Sequence, residues 1–190
     1  MRKDAASGKL RIIGGTLRGS RIDVPNVPGL RPTPDRVRET LFNWLAPVID
    51  GARCLDLFAG TGALGIEAWS RGAGAVDFIE RDPRLVAALR NDLTRLRVTD
   101  ATVHATDALA FLHNTVQACD IVFLDPPFAA DLWTSTAHAL DTRGWLKPGA
   151  WIYVEAPGEV RPSLPEHWLL HREARAGDVG FALYRNEPIP

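Results

Sequence analysis

The sequence is poor in the residues that disulfide-stabilised, metal-binding and membrane-spanning proteins require. Its only two cysteines, Cys54 and Cys119, each lie in an apolar run, so we expect buried free thiols instead of a disulfide. Its five histidines show no metal-ligand spacing, so no metal site is expected. No run approaches the roughly 18 apolar residues that cross a bilayer, and no apolar signal region follows the polar N-terminus. We therefore predict a cytoplasmic monomer with no membrane partner.

Positive charge is concentrated at the start of the chain. Residues 1–38 contain nine Lys or Arg and three Asp, a net charge of +6. The remainder carries 13 positive and 20 negative residues, a net charge of −7. This asymmetry is typical of a basic segment with a polyanionic partner, although a solvated terminus without a partner could carry the same charge.

Two short runs near the start of the chain are typical of β-strands. Residues 9–13 and 20–24 flank a glycine-rich segment, which predicts a β-hairpin. The proline-rich residues 25–32 should be extended and should link the hairpin to the rest of the chain. We therefore divide the chain into a basic N-terminal arm, residues 1–32, and a larger domain, residues 33–190.

A helix is predicted to begin where the arm ends. Thr33 supplies a capping hydroxyl, Pro34 suits the first helical position, and Asp35 places an acid in the first turn. The apolar residues that follow recur at helical spacing and mark one face: Val37, Leu41, Trp44, Leu45 and Val48. We interpret Arg38 and Glu39, on the opposite face, as solvated.

From residue 52 onward, strand-like and helix-like runs alternate. The strand-like runs are residues 52–58, 75–80, 101–106, 120–125, 150–155, 168–174 and 180–186. The helix-like runs are residues 63–71, 83–96, 108–115 and 132–142. Such alternation predicts a parallel, doubly wound sheet, while the short turn between the last two strands predicts a hairpin. The expected fold is α/β and Rossmann-like, that of a class I S-adenosylmethionine-dependent methyltransferase, with a seven-stranded, mostly parallel sheet, a C-terminal β-hairpin and an N-terminal β-hairpin arm.

A glycine-rich loop follows the first strand of the larger domain. In DLFAGTGALG, residues 56–65, the glycines Gly60, Gly62 and Gly65 match G-x-G-x-x-G, and Glu80 ends the next strand. Glycines allow a backbone to approach a ligand closely, and an acid at that position can accept both hydroxyls of a ribose. NAD and S-adenosylmethionine both contain such a ribose, so the motif alone leaves both cofactors open.

Two acids bear on the identity of this cofactor. Asp56 lies where a dinucleotide would place its pyrophosphate, which a carboxylate repels, whereas a carboxylate suits the cationic methionine portion of S-adenosylmethionine. Asp107 follows the third strand, where it can cap a helix, accept a hydrogen bond from the adenine amine, or do both. We therefore predict S-adenosylmethionine as the cofactor.

The fourth strand ends in the motif Asp125-Pro126-Pro127-Phe128. Two prolines keep this backbone extended and remove two N–H groups, which leaves the Asp125 carboxylate and the Pro126 carbonyl as rigid acceptors. An exocyclic amine of a nucleic-acid base is a poor nucleophile, and accepting both of its hydrogens localises its lone pair and aims it. Phe128 can stack on a base that has left its helix. This pattern predicts amino-methylation of a base.

Three further stretches, together with the two motifs above, carry a resemblance to a known protein family. They are Arg11–Gly15 (RIIGG), Arg31–Leu45 (RPTPDRVRETLFNWL) and Gly180–Arg185 (GFALYR). Together with DLFAGTGALGIEA and DPPF, they resemble the bacterial 16S ribosomal RNA guanine-N2 methyltransferase family called RsmD. The resemblance runs from about Arg11 to Arg185 in the same motif order.

The resemblance implies a substrate and a set of site residues. The substrate would be the 2-amino group of a guanine in 16S rRNA, within the 30S subunit or its assembly intermediates. The residues that hold S-adenosylmethionine would be Asp56, Phe58, Ala59, Gly60, Gly62, Glu80, Asp107 and Ala108. The target base would contact Asp125, Pro126 and Phe128, and RNA phosphates would contact Arg11, Arg18, Arg31 and Arg36. Ala129 and Ala130 stand where family members often place basic residues, so the resemblance does not carry RNA contacts over to this loop.

Three other functions share part of the pattern. A DNA adenine or cytosine amino-methyltransferase has both motifs, but it would normally carry a target-recognition region for which this chain has no room. An NAD-dependent oxidoreductase needs the glycine loop and leaves DPPF unexplained. A non-catalytic ribosome-binding factor would keep the basic arm without needing Asp125.

Overall fold

The computed structural model describes residues 8–187, which contain nine strands and five α-helices. The strands are β1 (Gly8–Arg11), β2 (Arg21–Val24), β3 (Arg53–Asp56), β4 (Ala75–Glu80), β5 (Ala101–Ala105), β6 (Cys119–Leu124), β7 (Leu146–Pro157), β8 (Trp168–Ala176) and β9 (Val179–Asn186). The helices are α1 (Asp35–Leu45), α2 (Ala63–Ser70), α3 (Pro83–Arg95), α4 (Ala108–Leu112) and α5 (Trp133–Thr142). No helix in this range is long and apolar enough to cross a membrane.

Seven strands form one sheet in the order β5-β4-β3-β6-β7-β9-β8, which confirms the predicted fold class. The first five strands of this order are parallel, and β9 is antiparallel to both β7 and β8. The chain order reverses between β3 and β6, so the loops that follow these strands diverge and leave a crevice at their carboxyl ends. Both sequence motifs lie at this crevice.

Strand residues alternate between the two faces of the sheet, and each face is covered by its own helices. Cys54, Phe123 and Tyr153 project to one face and pack with α1, α2 and α3. Leu55 and Val122 project to the other face and pack with α4 and α5. Residues 52–57, 121–124 and 152–156 are almost entirely buried, as expected for central parallel strands with helices on both faces.

The two cysteines are buried and unpaired, as predicted. Burial raises the pKa of the Cys119 thiol to about 12 and raises the pKa of Cys54 further. Both thiols are therefore protonated at neutral pH and behave as small core residues.

The β1–β2 hairpin packs against α1 and α2. Ile12 and Ile22 are fully buried in the core that contains α1 and α2. The backbone N–H groups of Ile13 and Gly14 donate to the Glu67 carboxylate of α2 at 2.9 and 2.8 Å. A Cβ on Gly15 would lie 1.7 Å from the Ser70 carbonyl oxygen, so this close approach requires glycine.

Arg38 is fully buried, so the prediction that it is solvated was wrong. Its guanidinium donates to the main-chain oxygens of Thr33 and Arg11 and to the carboxylates of Glu67 and Asp35, at 2.6–3.3 Å. The hairpin covers this face of α1, and four acceptors offset the cost of burying the charge. Sequence periodicity shows only which face of α1 packs on the sheet. It could not reveal that the hairpin covers another face of the same helix.

The predicted helix caps are partly confirmed. Asp107 caps α4, since its carboxylate accepts from the Leu109 N–H at 2.9 Å. Asp82 caps α3 in the same way by accepting from the Arg84 N–H at 2.9 Å. Thr33 does not cap α1: the helix begins at Asp35 after Pro34, with no side-chain cap. The Thr33 hydroxyl instead points toward Glu155 of β7.

Candidate active site

Three acids from neighbouring strands meet at the carboxyl edge of the sheet. Asp56 ends β3, Asp125 directly follows β6, and Glu155 lies near the end of β7. In the register of β6 and β7, Leu124 pairs with Val154, so Asp125 and Glu155 lie one step beyond that pair. Their charges act on one another, because Glu155 and Asp56 both raise the pKa of Asp125.

The glycine loop has the conformation that the motif predicts. Gly60 and Gly62 have φ values of +55° and +78°, a region that favours glycine. A Cβ on Gly62 would lie 2.3 Å from the Leu89 side chain. Gly65 serves helix packing instead, since a Cβ there would lie 2.2 Å from the Phe78 ring. The loop thus turns tightly at the first two glycines and packs α2 against β4 at the third.

Asp56 is the most deeply buried of the three predicted cofactor-binding acids, with 2% of its surface exposed. One carboxylate oxygen accepts from the Gly65 N–H at 3.1 Å. Burial raises the pKa of Asp56 to about 7, the Gly65 N–H opposes that shift, and the charge of Glu80 adds to it. A cationic ligand would stabilise the ionised form, which fits the methionine portion of S-adenosylmethionine and not a pyrophosphate.

Glu80 and Asp107 both hold backbone N–H groups at the ends of their strands. Glu80 accepts from Gly60 at 2.9 Å with one oxygen and from Asp82 at 2.8 Å with the other, which fixes the glycine loop to β4. Asp107 uses only Oδ1 for its cap, and Oδ2 has no hydrogen-bond partner among residues 8–187. The carboxylates therefore keep acceptor capacity for a ribose and an adenine amine.

The other predicted cofactor residues line the same edge. Ala59 and Ala108 are buried, with exposed fractions of 8% and 4%, and the Ala59 N–H donates to the Ile79 carbonyl at 2.9 Å. Phe58 is partly buried against the core that contains α4 and α5. These small or apolar side chains shape the crevice without adding charge.

The DPPF segment is extended and then turns. Pro127 has φ −54° and ψ 125°, and Phe128 begins a short 3₁₀ turn that ends at Ala130. The Phe128 ring is partly buried, with its centroid 6.0 Å from that of Trp133. Trp133 donates from its indole N–H to the Glu155 carbonyl at 2.8 Å, so it braces the aromatic ring against β7.

Asp125 is partly buried, and its pKa lies well above the ordinary range. Burial is the largest cause, followed by the charges of Glu155 and Asp56, while the nearby Thr33 hydroxyl opposes the shift. The site therefore concentrates negative charge, and hydrogen-bond donors or a cation would relieve the repulsion.

Sequence reasoning missed Glu155, Tyr153 and Thr33. Glu155 is 6% exposed, and its Oε2 accepts from the Tyr153 hydroxyl at 2.7 Å and the Thr33 hydroxyl at 3.5 Å. Burial raises the pKa of Glu155, and the two hydroxyls and Arg31 oppose the shift. One sequence signal could have identified Glu155, namely an acid near the end of a buried strand. Glu155 follows Val154 of β7 just as Asp125 follows Leu124 of β6, and Leu124 and Val154 are register partners.

The proline-rich segment, residues 25–32, also contacts the candidate site. Leu30 reaches the glycine loop, where a Cβ on Gly60 would lie 3.2 Å from the Leu30 side chain. Thr33, three residues later, contacts Glu155. The segment therefore crosses the carboxyl edge from the glycine loop to the predicted base pocket.

The four arginines predicted to bind RNA are all exposed. None of them forms an ion pair within the part of the chain that the structure describes. Arg11 and Arg18 line a groove of about 420 Å³ between the hairpin and α1. Arg31 lies close enough to lower the pKa of Glu155, so it is near the predicted base pocket, while Arg36 lies on the first turn of α1.

Comparison with known proteins finds relatives that match nearly the whole chain. A family model described as "Conserved hypothetical protein 95" matches residues 10–185. Ribosomal RNA small subunit methyltransferase D of Escherichia coli strain K12 is 50% identical over 184 residues, which covers 96% of this chain and 93% of that protein. The protein of the same name from Haemophilus influenzae is 44% identical over 95% of this chain and 96% of its own length.

A solved structure extends the comparison to the fold. The structure described as a methyltransferase, yhhF, from Escherichia coli superposes with a TM-score of 0.89 at 46% identity, covering 96% of this chain and all of that one. Sequence and fold both agree over nearly the whole length. The chain therefore belongs to the family described as Conserved hypothetical protein 95, the RsmD family of class I methyltransferases, which confirms the resemblance found in the sequence.

Proposed function

We propose that this chain transfers a methyl group from S-adenosylmethionine to the exocyclic 2-amino group of a specific guanine in 16S rRNA. The names of its relatives refer to the small ribosomal subunit, which supports 30S subunits or their assembly intermediates as substrate. The observation that carries the chemistry is the position of Asp125, partly buried at the carboxyl edge and within electrostatic reach of Asp56. We expect a monomer that acts in the cytoplasm.

The cofactor supplies, when bound, an electrophilic methyl group on a sulfonium ion. Asp56 would hold the cationic methionine portion, Glu80 the ribose hydroxyls and Asp107 the adenine amine. The positive φ values of Gly60 and Gly62 keep side chains out of this space. This assignment explains why a buried acid, Asp56, lies beneath the loop, where it would repel a pyrophosphate.

Asp125 and Pro126 would act on the target amine. In the transfer, the amine nitrogen would gain the methyl group and lose one proton, which the Asp125 carboxylate would accept. The Asp125 carboxylate accepts one amine hydrogen, the Pro126 carbonyl accepts the other, and together they aim the lone pair at the methyl carbon. Burial and the charges of Glu155 and Asp56 disfavour the ionised form of Asp125, and the positive charge of the cofactor would restore the carboxylate that accepts the hydrogen. Fixing the reactants in line supplies much of the rate.

The surroundings of Asp125 suit a base that has left its helical stack. Phe128, braced by Trp133, offers an aromatic face, and stacking of this kind is worth about 1–3 kcal/mol per base. Arg31 is exposed beside the pocket, where it can contact the phosphate of the flipped nucleotide. Arg11, Arg18 and Arg36 would contact phosphates farther away.

Methyl transfer to 30S subunits that lack the modification tests the proposal. With methyl-labelled S-adenosylmethionine, the label should appear in 16S rRNA as N2-methylguanosine, and Asp125→Ala should abolish most of it. Label in adenine, in cytosine or in DNA would refute the proposed substrate. Titration calorimetry with S-adenosylmethionine and NAD provides an independent check, since tight NAD binding alone would refute the cofactor.

A further inference from the structure

Glu155 lies beside Asp125 on the same face of the sheet. Phe123 and Tyr153 are register partners on β6 and β7, and both project into the core that contains α1. Asp125 and Glu155 each follow by two residues, so their side chains project to that same face. Neighbouring strands are about 4.8 Å apart, which brings the two carboxylates to one pocket.

Only half of the Glu155 carboxylate is engaged by the protein. Oε2 accepts from the hydroxyls of Tyr153 and Thr33, whereas Oε1 has no hydrogen-bond partner among residues 8–187. The residue is nine-tenths buried, yet Oε1 is not one of the fully buried side-chain atoms without a partner, so this oxygen is the accessible part of the carboxylate. The arrangement therefore holds one oxygen in a fixed direction and leaves the other for a donor from outside the chain.

A guanine provides a donor at the corresponding place. Its 2-amino group and its N1–H are adjacent donors on one edge of the ring, whereas adenine and 2,6-diaminopurine have a lone pair at N1. The 2-amino group of guanine lies between N1 and N3, and only N1 carries a hydrogen, so a base whose 2-amino group faces Asp125 can satisfy a second acceptor along that edge only by presenting N1. The carboxylate on the neighbouring strand is that acceptor.

We propose that Glu155 accepts the N1–H of the target guanine through Oε1 and thereby selects guanine over bases that carry a lone pair at N1. This inference rests on the proposed function, because it requires the 2-amino group to be the methylated group. Tyr153 and Thr33 are positioning residues that orient the carboxylate. Thr33 belongs to the segment that crosses the site, so this segment also helps to order the base pocket.

The geometry predicts what a glutamine would do at position 155. The hydroxyls of Tyr153 and Thr33 donate, so the amide should turn its carbonyl oxygen toward them and place its NH₂ where Oε1 was. That NH₂ and the N1–H of guanine are both donors, so they cannot form a hydrogen bond with each other. The same NH₂ can donate to a base that has a lone pair at N1. Glu155→Gln should therefore invert the preference and not merely reduce activity.

The test compares two bases at the nucleotide that the wild-type enzyme methylates. Reconstituted 30S subunits would carry either guanine or 2,6-diaminopurine there, since both have the 2-amino group. The wild-type enzyme should prefer guanine in kcat/KM by about 10- to 100-fold, as expected for a hydrogen bond to a charged group. Glu155→Gln should shift that ratio toward diaminopurine by at least about tenfold. Because diaminopurine also differs from guanine at position 6, 2-aminopurine should be tested as well and should respond in the same way.

Two control variants separate base selection from structural support. Tyr153→Phe removes a donor to Oε2 and should lower kcat/KM on both bases while leaving Glu155 able to accept N1–H. Glu166→Gln changes an exposed acid in the same chain and should alter neither value. Titration calorimetry should find the affinity for S-adenosylmethionine unchanged in all three variants.

The outcomes distinguish this inference from the proposed function. A wild-type enzyme that forms N2-methylguanosine but does not discriminate between guanine and diaminopurine would overturn the inference alone, and that comparison needs no variant. An unchanged base ratio in folded Glu155→Gln would also overturn it. A wild-type enzyme that forms no N2-methylguanosine would overturn the proposed function itself.

Discussion

Asp56→Asn should stabilise the cofactor-free protein while weakening cofactor binding. Asparagine has the same shape and can still accept the Gly65 N–H that Asp56 accepts at 3.1 Å. It cannot ionise, however, so it removes the cost of a buried carboxylate at neutral pH. A residue that opposes folding and favours a ligand is typical of a functional site.

The pKa of Asp56 sets the size and sign of the effect. Its pKa rises from 3.8 to about 7 on folding, so the folded protein retains a proton that the unfolded chain loses. The free energy of unfolding therefore falls as pH rises from about 4 through about 7 and then levels off. At roughly 1.4 kcal/mol per pKa unit, the full loss is about 4 kcal/mol. About 3 kcal/mol of it falls between pH 5 and pH 8.

Chemical denaturation at pH 5 and pH 8 without cofactor measures this loss. The stability advantage of Asp56→Asn over the wild type should grow by about 3 kcal/mol between the two pH values. Glu166→Gln, at an exposed position, should show no such growth. Calorimetry should show weaker binding of S-adenosylmethionine to Asp56→Asn, because the cation loses its charged partner. An equal advantage at both pH values would refute the assignment of a buried, proton-retaining Asp56.

Three further predictions concern catalysis, RNA binding and packing. Asp125→Ala should lower turnover by about 10²–10³ while Asp125→Asn retains part of it, measured alongside cofactor affinity and melting temperature; full turnover in a stably folded Asp125→Ala protein would contradict the mechanism. Arg11→Ala combined with Arg18→Ala should weaken 30S binding and reduce the salt-dependence slope by about two, with cofactor affinity as the control; an unchanged slope would show that the hairpin does not contact phosphate. Gly65→Ala should destabilise the fold by about 1–3 kcal/mol in denaturant titration, because its Cβ would lie 2.2 Å from the Phe78 ring, and unchanged stability would contradict that packing.

Features carried by local patterns could be predicted from the sequence. Alternating strands and helices predicted the doubly wound sheet, because periodicity and chain connectivity limit the possible topologies. The loop at residues 56–65 and the DPPF segment each contain their own conformational cause, in glycines that allow positive φ and prolines that exclude a helix. The sequence also placed Asp56 and Asp125 at one edge, since parallel strands end on the same side.

Tertiary structure decided the residues whose roles depend on distant partners. Arg38 lies on the polar face of α1, where the sequence pattern predicts solvent exposure. The hairpin nevertheless covers Arg38 and supplies the Arg11 carbonyl as an acceptor. Thr33 has the sequence context of a helix cap, but its hydroxyl is directed at Glu155, 122 positions along the chain. A local pattern reports which face of an element is apolar and which residues can cap it. It does not report what a crossing segment brings to the other face, because that depends on contacts that form only when the chain has folded.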